Sequence, residues 1–215
     1  MNTRAVPDPG GVILLGPPTA GKDTVSAALS EHDPRYTQLT KLKVGSGRTS
    51  GYRATSAAEL AALRRMGRIV LETHRYGNTY AVDSADLSRM RRDKLVPVVH
   101  LGSVDHLRAF REAVDRPWLS VLLWVPRAVC AQRSADRGDP DTEARLAAWD
   151  AALADLAAVP ADEAIFHQVV RTDSDNADKA ARKVAERYEK WDWKTAPPWS
   201  ELSPKIAELA QLTSH

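Results

Sequence analysis

The residues most able to do chemistry lie near the start of the chain, in Gly16-Pro17-Pro18-Thr19-Ala20-Gly21-Lys22-Asp23-Thr24. The spacing is Gly-x-x-x-x-Gly-Lys, a pattern that cradles phosphate when a strand precedes it and a helix follows. Gly16 and Gly21 permit backbone angles closed to other residues, so successive N–H groups can turn inward on a polyphosphate. Lys22 would lie across the β- and γ-phosphates, and a hydroxyl would hold magnesium. The pattern usually continues with Ser or Thr. Here Asp23 takes that place and the hydroxyl follows at Thr24, so Thr24 is the candidate beside the metal. Every residue from Gly16 to Thr24 is therefore a candidate contact of a nucleoside triphosphate carrying Mg²⁺.

The elements that must position this loop are legible on either side of it. Val12 to Leu15 is a short apolar run suited to a parallel strand covered on both faces. A helix follows from Lys22 and ends near Ser30, ahead of the Asp33-Pro34 breaker. Further strands are expected at Ile69–Glu72, Leu95–His100, Leu119–Val125 and Ile165–Thr172. With Val12–Leu15 they make five parallel strands separated by helices, an α/β P-loop fold with helices on both faces. Ligands of such sheets bind at the carboxyl ends of the strands, where Lys22, Glu72, His100 and Thr172 fall.

The intervening segments have their own signals. Leu39 to Lys43 leaves a short strand before a loop with Gly45, Gly47 and Gly51. That loop carries Lys43, Arg48 and Arg53 and by itself reads as a solvated turn; downstream of a phosphate loop it becomes a candidate anion site. Ser56 and Glu59 form a capping box for a helix that stops at Gly67. His74 to Tyr80 reads as a polar, aromatic turn, and Asp83 or Ser84 caps another short helix. Further helices are expected at Val104–Val114, Arg127–Arg137, Asp141–Ala158 and Asn176–Glu189. Leu146, Trp149, Leu153 and Leu156 recur at helical spacing and read as packing residues. Residues 1–10 read as a loose arm, and the Trp- and Pro-rich tail, 191–215, as packing back on the domain before a short amphipathic helix.

Composition narrows the class. The chain has 30 basic and 28 acidic residues, a net charge of +2, and 43% hydrophobic content. That balance argues against nucleic acid and membrane as partners. The single cysteine, Cys130, excludes an internal disulfide and a cysteine zinc site. No apolar signal core opens the chain and no run approaches membrane-spanning length, so a cytoplasmic monomer or homodimer is expected.

Over residues 11–190 the chain resembles the guanylate kinase family. The resemblance rests on the loop at Gly16–Thr24 and on Ile69-Val70-Leu71-Glu72 followed by Tyr76-Gly77-Asn78-Thr79-Tyr80. It also rests on Gln132-Arg133-Ser134-Ala135-Asp136-Arg137-Gly138 followed by Arg145-Leu146, and on Val169-Val170-Arg171-Thr172-Asp173. It implies an ATP-dependent, magnesium-requiring transfer of the γ-phosphoryl group to a nucleoside monophosphate. An acceptor-binding insert would span about 36–92 and a lid about 127–146. Glu72 matches the carboxylate that reads guanine, and Tyr52 and Tyr80 match tyrosines that hold the acceptor phosphate. Arg133, Arg137 and Arg145 match lid arginines, and Thr172 falls where an adenine-contacting Asn stands.

Departures gather in the acceptor half. Lys43 and Arg48 are approximate stand-ins for the family's Ser- and Arg-rich phosphate clamp, His100 replaces an acidic guanine reader, and Ala81 and Val82 replace Gly and a hydroxyl. A neutral imidazole cannot offer the paired acceptors that guanine N1–H and N2–H require. Two other acceptor readings therefore stand beside GMP: a ribose bisphosphate, as in a related phosphokinase, or a specialised-metabolite nucleotide. A non-catalytic binding module is the remaining reading, and intact Gly16, Gly21 and Lys22 argue against it.

Overall fold

The computed structural model describes residues 9–47, 49–75, 77–138, 142–190 and 196–211, with side chains through Ile206. Arg48, Tyr76, Asp139, Pro140, Trp191 and Trp193 lie outside the described residues.

Two strands make the centre. β1 (Val12–Leu15) and β8 (Leu119–Trp124) are buried at every position, as an apolar run sandwiched between helices demands. They pair in parallel, with Val12 opposite Leu119 and Leu15 opposite Leu122. β7 (Val96–Leu101) flanks β1, β2 (Tyr36–Gln38) flanks β7, and β9 (Gln168–Arg171) flanks β8, giving the order β2-β7-β1-β8-β9, all parallel. The number and direction of strands match the expectation, but one member differs. The strand at Ile69 belongs elsewhere, and the fifth parallel strand is the edge segment Tyr36–Gln38.

That strand is β5 (Ile69–Arg75), part of a second, four-stranded sheet inserted between β2 and β7. The insert runs β3 (Lys41–Val44), β4 (Tyr52–Ala54), α2 (Ala57–Arg65), β5 and β6 (Asn78–Asp83), with sheet order β4-β3-β6-β5. The segment read as an aromatic turn is a hairpin whose second strand, β6, returns antiparallel to β5. Alternation divides its two faces. Leu42 and Ala81 bury under Leu60 of α2, whose capping box forms between Ser56 and Glu59. Leu71 and Val82 point the other way and join the main core.

Helices α1 (Lys22–His32), α3 (Ser84–Arg92), α4 (Val104–Ala113), α5 (Arg127–Asp136), α6 (Thr142–Ala157) and α7 (Ala177–Glu189) complete the parallel-sheet body. The packing stripe of α6 buries Trp149 against Trp124, ring centroids 5.2 Å apart, with Trp149 Nε1 donating to Val125 O at 2.9 Å. α8 (Trp199–Gln211) packs Trp199, Leu202 and Ile206 into the same core. Among the described residues no helix is long and apolar enough to cross a membrane.

Candidate functional site

Between β1 and α1 the chain must reverse under the end of β8, and the room there is set by Gly16. A Cβ on Gly16 would lie 2.3 Å from Leu123 O, so any side chain collides with backbone. Gly21 closes the loop in the left-handed region, φ +84°, and α1 begins at Lys22. Successive amides at this helix start make an anion cradle. Lys22 Nζ donates to Gly16 O at 2.6 Å and Pro17 O at 2.9 Å, folding back over the loop. Burial first, then the nearby Arg75, lowers its pKa to about 8. Asp23 offsets this only in part, and anionic phosphates would add further opposite charge. Thr19 carries φ +60°, rare for a β-branched residue, and its buried Oγ1 has no hydrogen-bond partner among the described residues.

The loop is braced from behind. Thr172 Oγ1 donates to Ala20 O at 2.9 Å. Arg133 donates to Thr19 O at 3.0 Å and also reaches Thr172 O, tying α5, β9 and the loop together. Beside this brace opens a cavity of about 320 Å³, lined by Thr19, Gly21, Thr24, Arg137, Thr172 and Asn176 among others.

A second cavity, about 690 Å³, lies between the two sheets on the other side of the α1 start. Cross-strand register assembles one wall: Lys43 stands opposite Tyr80, and Tyr80 opposite Thr73, so all three share a face of the inserted sheet. The Tyr52 and Tyr80 rings lie 5.0 Å apart, with Lys43 Nζ 5.8 and 5.9 Å from their centroids and donating to Ser46 O at 2.5 Å. The opposite wall is His100, at the carboxyl end of β7. Its Nε2 lies 2.7 Å from Ser26 Oγ, and its Nδ1 lies 3.4 Å from Gln38 Nε2 and 3.5 Å from Asp23 Oδ1. Burial and then Lys22 push its pKa down to about 4, so the ring is neutral. Arg137 and Arg145 line this cavity as well.

The structure thus brings together Lys22, Asp23, Thr24, Tyr52, Tyr80, His100, Arg137 and Arg145, while Lys43 stands behind the tyrosines. It does not bring Glu72. In β5 the pleat puts Thr73 on the cavity side and turns Glu72 to the α2 side, opposite Ala81. There Arg64 clamps it with two hydrogen bonds, 2.7 and 2.6 Å, and lowers its pKa. A register irregularity between Ile69 and Leu71 sets which residues face in, a feature that the strand's sequence alone does not carry. Arg133 also lines the first cavity, with its guanidinium spent on the backbone oxygens of Thr19 and Thr172. Lys41 and Arg75 line the cavity and were not singled out by motif. The period-two spacing of Lys41 and Lys43 is a signal for Lys41 alone.

No protein-family model matches this chain, and no curated protein matches it. Solved structures do. A guanylate kinase from Anaplasma phagocytophilum superimposes with a TM-score of 0.61 at 16% identity, covering 93% of this chain and 96% of that one. The fold is guanylate kinase-like. Shikimate kinase from Acinetobacter baumannii aligns at a TM-score of 0.43 and 17% identity, over 88% of this chain and 97% of that one. The Bacillus subtilis YorR protein, in complex with phosphorylated GDP, gives 0.43 and 17%, over 83% and 95%. The guanylate kinase match, at 16% identity, shows the architecture alone.

Proposed function

We propose that this protein is a kinase that moves the γ-phosphoryl group of ATP onto the phosphate of a small-molecule acceptor. One observation carries the reading: the two cavities share a floor, because Thr19, Gly21, Thr24 and Arg137 line both. A donor held in the first and an acceptor held in the second would meet above the start of α1, which suits in-line transfer. A phosphate oxygen of the acceptor attacks the γ-phosphorus, the bond to the β,γ-bridging oxygen breaks, and ADP leaves. The attacking phosphate is already ionised, so no general base is needed. The protein's work is alignment and charge neutralisation.

Lys22 and the loop amides hold the donor's β- and γ-phosphates, and Arg137 and Arg145 screen charge on the group in flight. Tyr52 and Tyr80, backed by Lys43, hold the acceptor. Asp23 and Thr24 offer a carboxylate and a hydroxyl at the first turn of α1, hard oxygen donors that fit Mg²⁺ shared with the nucleotide. Bound there, the ion would neutralise phosphate charge. A nucleoside monophosphate is the acceptor class that the guanylate kinase-like fold suggests. Guanine-specific recognition is disfavoured by the outward turn of Glu72 and by the occupied ring of His100.

An ADP-release assay across nucleoside monophosphates and sugar phosphates tests the proposal. Acceptor-stimulated ADP formation that depends on Mg²⁺ is expected. ADP formation that no acceptor accelerates would overturn it.

A further inference from the structure

Tyr52 reaches the second cavity from a strand with little backbone support. β4 has three residues, lies at the edge of the inserted sheet and, among the described residues, pairs with β3 alone. The loop before it contains Gly45, Gly47 and Gly51. Pairing alone specifies the register of so short a strand weakly, and a slip of one residue turns every side chain to the opposite face. A second contact must hold Tyr52 on the cavity side.

Arg53, in the segment whose sequence suggests an anion site, supplies that contact from the far face. It stands opposite Leu42 in β3, and Leu42 stands opposite Ala81 in β6, so all three turn from the cavity toward α2. Asp83, two residues after Ala81, shares that face. Arg53 donates to Asp86 Oδ2 at 2.8 Å and lies 3.7 Å from Asp83 Oδ2. Both carboxylates are buried, and both are held without β4. Asp83 accepts from Arg68 Nε at 3.0 Å and, as the cap of α3, from the Ala85 amide at 2.9 Å. Asp86 pairs with Arg89 at 3.1 Å. Removing Arg53 therefore leaves each buried carboxylate with an arginine, and the element that loses its tether is β4. With Arg53 pinned to α3, its neighbour Tyr52 points into the cavity, where its ring meets Tyr80 at 5.0 Å.

We propose that Arg53 is a positioning residue for the acceptor: its ion pair with Asp86 locks the register of β4 and so delivers Tyr52 to the acceptor phosphate. This rests on the kinase reading of the second cavity. Arg53 touches no reactant and acts through Tyr52.

Two measurements on the full chain test it. In NMR spectra with labelled tyrosine rings, the wild type should show a nuclear Overhauser contact between Tyr52 and Tyr80. Arg53→Met, which keeps the aliphatic stem, should remove that contact, and Arg53→Lys should restore it. In calorimetric titrations Arg53→Met should weaken ribose 5-phosphate and GMP alike by about tenfold or more, while ADP affinity changes by less than about threefold. In a Tyr52→Ala background the same substitution should cost either monophosphate less than about threefold, because no ring is left to position. A ring contact retained in Arg53→Met, an equal loss of ADP affinity, or the full loss in the Tyr52→Ala background would overturn the proposal. The kinase reading fails separately. A ring contact that depends on Arg53, in a protein that transfers the phosphoryl group to no acceptor, removes the kinase and leaves Arg53 as the residue that places Tyr52.

Discussion

At the scale of single residues, arginines with the same sequence signature divide into two kinds. Arg133 is partly buried and spends its guanidinium on backbone oxygens of Thr19 and Thr172, whereas Arg137 is exposed at the junction of both cavities. Arg137→Ala should therefore lower kcat by about tenfold or more with little change in KM for ATP. Arg133→Ala should instead loosen the loop, raising KM for ATP and lowering thermal stability. Steady-state kinetics of the two variants decide it, and the reverse pattern would return Arg133 to the lid. Lys22→Ala should reduce transfer by more than about a hundredfold while the melting temperature holds, since the residue supplies charge to the site. Activity above about a hundredth of wild type would refute its role. The phosphate loop was legible because its chemistry is local: glycine spacing and one lysine are written contiguously. Glu72 was not, because one step along a pleated strand separates a cavity residue from an ion pair on the far face.

Elements carry the next level. The buried segment linking β8 to β9 places His167 Nδ1 as acceptor from the Ser120 amide at 3.0 Å, and burial, then Arg111 and Arg187, pushes its pKa to about 4. The unfolded chain, with an ordinary pKa near 6.5, holds more protons between those values. Stability is then complete above about pH 6.5 and falls as pH drops toward 4. His100, depressed to the same value, adds to this limb, so His167→Asn should make it shallower in denaturation curves recorded from pH 4 to 7; an unchanged slope would exclude a contribution from His167. Gly16→Ala places a methyl against Leu123 O and should abolish measurable ATP binding, with a loss of about 1–3 kcal/mol in stability. The long buried strands and capped helices could be read from sequence, since each is fixed by its own apolar run or cap. The short strands Tyr36–Gln38, Tyr52–Ala54 and Asn78–Asp83 could not, because pairing partners distant in sequence define them.

For the whole molecule, the C-terminal helix closes the body. Trp199 is buried, lies 5.6 Å from the Phe166 ring and donates to Leu156 O at 3.1 Å, joining α8 to the β8–β9 link and α6. Trp199→Ala should cost about 3 kcal/mol in chemical denaturation, and a loss below about 1 kcal/mol would mean that α8 contributes little. In the proposed reaction the two sheets would serve as donor and acceptor walls around one phosphate loop. The measurement closest to that claim is a single-turnover experiment with ATP labelled in its γ-phosphoryl group, supplied with Mg²⁺ and each candidate acceptor in turn. Label should appear on the phosphate of an acceptor, faster than it appears as inorganic phosphate, and Lys22→Ala should remove the transfer. Label released only to water at a rate indifferent to every acceptor would contradict the account.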